Sequence, residues 1–450
     1  MAAAAKRARS ARDRLSALPD ELRRHILSFL PAQEVVRTTV LSKRWIDLWR
    51  AVPGINLNID DFRKGETECG NKIWERFENF VTNLLVLHNA PCLDVFRLKT
   101  VFIPRDSRRN VDAWIRRAIK HNPLVLQLSL GDYDELPHLS ASPCRRLKRL
   151  ELNGYLSLDH SFAEQLHSWF PHLEDLILRQ CYHGFSFIQS DKLKNLEIEE
   201  CENESEGVFV IRAPGLSSLS LDIWPDRYGY GISLDAGNSL VKASIDLPGE
   251  WSPRRELKLL GSLFSVTSLE MIGFQSKAVL DEEFDKLPIF NNLRTLSLGT
   301  HFDVFYGYED HYKAHGRFLQ KSPNLEKLTL QKWPAVPIEL PTLENLRTLI
   351  LHGCNLEDDF NLLRHCLQCS PNLEKLGLEL CELSDRERMI RSEKTYSQSK
   401  NLVTFRCPKL KSTEIMYHKD DNIPELVSFL LGVSGRASKN AIILVPSMKE

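Results

Sequence analysis

Little in this chain would suit a membrane, a secretory route or a nucleic acid. No apolar run among the 450 residues approaches the roughly 20 needed to span a bilayer. The formal charge of −1 gives no global pull toward DNA, RNA or anionic lipid. Residues 1–14 carry Lys6, Arg7, Arg9, Arg12 and Arg14 among alanines. They lack the apolar core and cleavage site of a signal peptide, so they read as a solvated basic leader or a nuclear address rather than an export signal. An intracellular protein is expected, with the nucleus ahead of the cytoplasm, and neither membrane nor nucleic acid is expected as a partner.

The ten cysteines then sit in a reducing compartment as thiols. Cys366 and Cys369, preceded by His365, make one C-x-x-C without the second ligand pair of a zinc finger. The chain also contains no G-x-x-x-x-G-K-[ST], H-E-x-x-H or G-x-S-x-G, and Gly229-Tyr230-Gly231 lacks the third glycine of a dinucleotide loop. No catalytic residue, metal or cofactor is therefore expected.

What is present is a folded composition, 42% hydrophobic and 26% charged, on a chain too long for one ordinary core. Two or three compact domains, or one elongated array, would satisfy it. From Leu18 the apolar positions fall at helical spacing. Leu22, Ile26, Phe29 and Leu30 form one stripe, with Pro19 suited to a first turn and Pro31 closing the element. Val35, Val36, Thr39 and Val40 make a second short stripe. Ser42 is a fair N-cap for a third helix bearing Trp45, Leu48 and Trp49. A module of about 40 residues is too small to be comfortable on its own apolar burial and should lean on a partner.

Leu18-Pro19, Ile26-Leu27-Ser28-Phe29-Leu30 and Leu41-Ser42-Lys43-Arg44-Trp45 supply, in order, a Leu-Pro opening, an Ile-Leu-x-x-Leu centre and a Ser-x-x-Trp. In these the segment resembles the F-box. The resemblance implies attachment to the Skp-type (S-phase-kinase-associated) adaptor and, through it, to a cullin scaffold. The implied anchors are Leu18, Pro19, Leu22, Ile26, Leu27, Leu30 and Trp45, inserted as a helix face into an apolar groove. Periodicity does not separate anchors from residues packing on the third helix, and Trp45 could serve either side.

Beyond it a Leu-x-x-Leu-x-Leu signature recurs, clearest from Leu147, Leu173, Leu193, Leu216, Leu293, Leu325, Leu346 and Leu373. Weaker copies start at Leu93, Val125, Leu240, Val266 and Leu402. Successive starts differ by 20 (173 to 193) to 32 (93 to 125) residues, the leucine-rich-repeat range. Ser322-Pro-Asn-Leu-Glu-Lys-Leu328 returns unchanged as Ser370-Pro-Asn-Leu-Glu-Lys-Leu376. Each core is a short strand whose two leucines enter the core while the residue between them faces out. Cys181, Cys201, Cys354 and Cys381 stand where such repeats turn the chain inside the core. About thirteen stacked strands would give a concave surface on the order of 60 Å long.

Phe80-Val81, Leu93-x-x-Phe96-x-Leu98 and Val111-Asp112-x-Trp114-Ile115 resemble the linker region of plant F-box/leucine-rich-repeat proteins. The expected fold is an α/β solenoid: a three-helix F-box, then an irregular leucine-rich-repeat horseshoe with parallel strands on its concave face. Its divisions are a leader at 1–14, the F-box at 15–50, linker helices and a first repeat at 51–120, repeats at 121–385, a polar loop at 386–400 and a C-terminal repeat or cap at 401–450. The resemblance thins after about Asp385, and Ala441 to Val445 reads as a final capping strand. The implied function is substrate recognition in an SCF ubiquitin ligase, without catalysis by the chain itself; a non-degradative scaffold using the same two surfaces is the alternative. For an unknown protein substrate, the outward strand positions offer Glu151, Glu197, Glu199, Asp222 and Glu270. An acidic face of this kind would select a basic segment.

Overall fold

In the computed structural model the described residues are 17–65, 67–131, 144–249, 251–273, 282–299, 315–333, 340–383, 406–418, 423–434 and 440–447. They form two compact units, Met1–Glu206 and Gly207–Glu450.

The first unit opens with three short helices: α1 (Asp20–Leu27), α2 (Ala32–Arg37) and, after a 3-10 turn at Thr38–Val40, α3 (Lys43–Arg50). Pro19 and Pro31 stand directly before α1 and α2, where a missing N–H costs nothing. Ser42 has the extended backbone of an N-cap, but its side chain makes no capping bond. Six strands of the main sheet follow: β1 (Gly54–Asn58), β2 (Val95–Lys99), β3 (Val125–Ser129), β4 (Arg149–Asn153), β5 (Asp175–Arg179) and β6 (Asn195–Glu199). All pair in parallel in chain order. Helices α4 (Gly70–Leu87), α5 (Arg108–Lys120) and α6 (His160–Trp169) carry the chain between strands.

Register follows the apolar alternation. Leu57, Leu98, Leu128, Leu152, Leu178 and Ile198 stand opposite one another, each at most 1% exposed. Full burial of such a side chain contributes about 2–3 kcal/mol, and slipping a strand by one residue would turn its whole row outward. Trp74, Phe77 and Trp114 from α4 and α5 pack ring against ring, the two indoles 6.3 Å apart.

The second unit repeats the scheme with nine described strands of the main sheet: β7 (Ser218–Asp222), β8 (Lys242–Asp246), β9 (Ser268–Ile272), β10 (Thr295–Gly299), β11 (Lys327–Gln331), β12 (Thr348–His352), β13 (Lys375–Glu379), β14 (Ser412–Tyr417) and β15 (Ala441–Pro446). These too are parallel, neighbour to neighbour. Its helices include α7 (Pro253–Gly261), α8 (Glu357–Gln368) and α9 (Ile423–Ser434).

The duplicated heptapeptide is a complete packing unit. Ser322 and Ser370 are buried, as are the leucines. Asn324 and Asn372 each donate to a carbonyl one repeat earlier, Asn291 O at 2.9 Å and Glu344 O at 2.7 Å. Asn345 does the same to Pro323 O at 3.0 Å. The four turn cysteines are buried. Their thiols point at carbonyls of the preceding repeat: Cys181 at Leu152 O (3.6 Å), Cys201 at Leu178 O (3.4 Å), Cys354 at Leu330 O and Cys381 at Leu351 O (both 3.2 Å).

Three strand assignments change. The copy read from Val125 starts two residues earlier: Pro123, Leu126 and Leu128 are buried while Val125 is half-buried. Val52, Ile55 and Leu57 make a copy directly after α3 that the signature misses. Leu402 lies outside the described residues. Around the strand described after it, β14, Leu410 just before the strand and Thr413 and Ile415 within it take the inner positions, all at most 2% exposed. The expected leader at 1–14 and the polar loop at 386–400 also fall outside the described residues.

Candidate functional site

In the N-terminal module the apolar stripe and the core are different faces. Leu27 is buried together with Val35, Trp45, Leu48 and Trp49, and this set closes the three helices on one another. The remaining inward position of α1 is Arg23, 1% exposed, its guanidinium 5.8 Å from the Trp45 ring centre and 3.3 Å from Asp20. Arg44 reaches the same Asp20 carboxylate at 2.6 Å. A buried cation over an indole with a carboxylate at hand is desolvated at tolerable cost. It also leaves the apolar stripe of α1 no core to enter.

That stripe lies in solvent. Leu22 is 50% exposed, Ile26 43%, Phe29 69% and Leu30 38%. Val40, Leu41 and Ile46 are exposed as well. Scattered exposed apolar residues are ordinary; several along one helix and the turn that follows it, in a module this small, are informative. Of the anchors the F-box resemblance implies, Pro19, Leu22, Ile26 and Leu30 are exposed and Leu18 is half-buried. Leu27 and Trp45 are corrected to core residues, at 3% and 5% exposure, because they fill the space between α1 and α3. Val40 reads only as part of the second stripe, Leu41 only as part of the Ser-x-x-Trp segment, and Ile46 lies off the Trp45, Leu48 and Trp49 stripe, so spacing does not mark these three as exposed.

The outward strand positions of the first unit are not simply acidic. Arg179, one residue beyond the inner Leu178, spans three of the predicted carboxylates: Glu151 at 2.8 Å, Glu197 at 2.5 Å and Glu199 at 2.8 Å. Glu151 also accepts from Gln127 at 2.7 Å and from Arg149 at 3.3 Å. Burial pushes the Glu151 carboxyl up, but these bonds and the Arg179 charge outweigh it and hold the group below its ordinary range. Three carboxylates against the guanidiniums of Arg149 and Arg179 leave one negative charge, so the acidic cluster is an ion-pair network. Arg179 was legible in principle, since it holds the same register position as Asn153 and Glu199.

Asp222 and Glu270 belong to the second unit. Asp222 stands opposite Asp246 in register. Glu270 accepts from the Ser244 hydroxyl at 2.9 Å and from Gln331 at 3.1 Å, and Gln331 also donates to Ser297 at 2.8 Å. Gln331 crosses from β11 to β9, passing Gly299 on β10, where an added Cβ would stand 3.4 Å from its own.

The C-x-x-C does not converge on a point. Cys366 is buried, burial pushing its thiol up, whereas Cys369 points at Leu340 O at 3.4 Å and the His365 ring accepts from Leu340 N at 3.3 Å. Among the described residues no three His, Cys, Asp or Glu side chains are grouped as metal ligands, and no helix is long and apolar enough to cross a membrane.

A helical module with an outward apolar stripe, followed by parallel-strand leucine-rich repeats, defines a repeat protein with an N-terminal helical domain. The F-box domain family matches residues 15–54. A rice (Oryza sativa subsp. japonica) protein, MEIOTIC F-BOX protein MOF, is 32% identical over 349 residues, which are 71% of this chain and 71% of that protein. An F-box/FBD/LRR-repeat protein of Arabidopsis thaliana is 28% identical over 353 residues, 72% of this chain and 78% of the relative. F-box/LRR-repeat protein 13 of the same plant is 27% identical over 369 residues, 71% and 76% of the two chains. The chain belongs to the plant F-box/leucine-rich-repeat family.

Proposed function

We propose that this protein is the substrate-recognition subunit of an SCF ubiquitin ligase. Its F-box binds the Skp-type adaptor, and through it a cullin, by seating Leu22, Ile26, Phe29 and Leu30, with Leu18, Pro19 and Leu41 beside them, in an apolar groove. The outward faces of the repeat strands bind a protein substrate, with the Arg179 network and the Ser244–Glu270–Gln331 network as the polar contacts offered. The chain contributes no catalytic group. It raises the effective concentration of a substrate lysine beside a charged conjugating enzyme.

The observation that carries this reading is the exposed stripe on α1 above a module core that closes without it. Burial of these half-exposed side chains against a partner would contribute about 1 kcal/mol each. The test is affinity purification of the intact chain and of a variant lacking residues 15–50, with and without proteasome blockade. A Skp-type adaptor lost on deletion, together with a second partner that is retained and accumulates under blockade, supports the proposal. A retained partner whose abundance ignores the proteasome would favour a non-degradative scaffold.

A further inference from the structure

The last strand of the second unit is unlike the strands before it in the parallel ladder. Ile442 and Leu444 stand opposite Thr413 and Ile415, so they occupy the inward positions of the ladder. Thr413 and Ile415 are 0% and 2% exposed, yet Leu444 is 45% exposed, and Ile442 is only half-buried. On the other face Ile443 is 51% exposed. The first strand of the chain shows what a closed end looks like: Ile55 and Leu57 of β1 are 4% and 1% exposed. There, a Cβ added to Gly54 would lie 2.8 Å from Ser28 Cβ, just beyond α1.

The backbone of β15 is open in a defined pattern. Ala441 N donates to Lys411 O and Ser447 N to Tyr417 O, both at 2.9 Å, so odd-numbered residues turn their amides toward β14. In a parallel pair the alternate residues turn both N–H and C=O the other way. Ile442, Leu444 and Pro446 therefore present the outer edge, and Pro446 has no N–H to give. The strand Ala441-Ile-Ile-Leu-Val-Pro446 carries no charge on either face, and an uncharged, apolar free edge invites another strand.

We propose that β15 is a dimerisation edge whose occupant is β15 of a second copy of this chain, paired antiparallel about a two-fold axis at Leu444. In that register Leu444 exchanges two N–H···O bonds with its symmetry mate. Each Ile442 N–H donates to the partner strand's carbonyl at the Pro446 position. Four bonds form, and the missing proline donor leaves only one carbonyl per copy, at Ile442, without its strand bond. Within Ala441–Ser447 the two-fold sets uncharged residues against uncharged residues. The inward Ile442 and Leu444 of both copies join into one apolar stripe. Each copy contributes a single edge, so the assembly closes at two. One strand pair buries less than a standard interface, so association should be concentration-dependent in roughly the micromolar range.

Sedimentation equilibrium of the full chain tests this. The wild type should rise from 51.8 kDa to twice that mass as concentration increases. Ile26→Lys, which places a charge on the exposed F-box stripe, should behave identically. Leu444→Pro removes an outward amide while sparing those directed at β14, and Leu444→Lys keeps the backbone and adds a charge. Both should remain monomeric with an unchanged unfolding midpoint. A wild type that stays monomeric overturns the proposal and leaves the edge to a strand of another protein. A dimer that survives both Leu444 variants, or that Ile26→Lys abolishes, overturns it equally.

Discussion

Leucine means opposite things in the two halves of this architecture. Along the repeat strands the leucines point in and the residues between them point out, whereas on α1 the apolar stripe points out and an arginine points in. The difference lies in how each element finds its core. A parallel strand is flanked on both sides by copies of itself, so alternation alone decides which face is sealed. A short helix in a three-helix module has one narrow inward face, which Arg23 and Leu27 fill, and the rest of its surface is free for a partner. An apolar pattern therefore identifies the ladder's core directly, but on α1 it marks an exposed face, the face we propose a partner covers.

The comparison is broken most severely by emptying the ladder. Leu351→Ala, at a fully buried position, should cost about 2–5 kcal/mol in urea unfolding, visible as a lowered midpoint. On α1 two adjacent residues should separate. Leu27→Ala should destabilise the module by a similar ~2–5 kcal/mol, while Ile26→Ala, 43% exposed, should change folding stability by no more than about 0.5 kcal/mol. Hydrogen exchange over α1 and α3 would distinguish them, and equal protection loss in the two variants would erase the distinction drawn here.

Much of the ladder was legible because strict alternation and a repeated heptapeptide agree with each other. Where it was not, the reason is local. Leu126, Leu128 and Leu130 are all buried, so the run Val125 to Leu130 fits two frames two residues apart. Thr413 in an inner position hid β14, and the nearness of Val52 to the F-box hid β1. On the F-box, spacing located the stripe but did not assign facing, so Leu27 and Trp45 were grouped with the anchors. On the outward strand face, carboxylates counted one by one suggested an acidic surface. Their sharing of Arg179 appears only once β4, β5 and β6 are in register.

That ion-pair network gives smaller effects. Arg179→Met leaves Glu151 and Glu197 half-buried without their shared cation and should cost about 1–2 kcal/mol, read from thermal unfolding at neutral pH. The pH dependence has a definite sign. Because the folded state holds the Glu151 carboxyl below its ordinary range, its contribution is full above the unfolded value of about 4.3 and is lost as pH falls through the lower folded value. Wild-type stability should therefore decline more steeply in acid than that of Arg179→Met. Parallel declines would mean that Arg179 does not set the shift.

We propose that the exposed face of α1 is a docking surface and that its buried face is not. Isothermal titration of a purified Skp-type adaptor into the wild type, Ile26→Asp and Arg179→Met measures it directly. A carboxylate forced unpaired into an apolar contact costs several kcal/mol. Ile26→Asp should accordingly lose adaptor binding by at least about a hundredfold with its unfolding midpoint unchanged, while Arg179→Met binds as the wild type does. Wild-type affinity in Ile26→Asp would contradict the account.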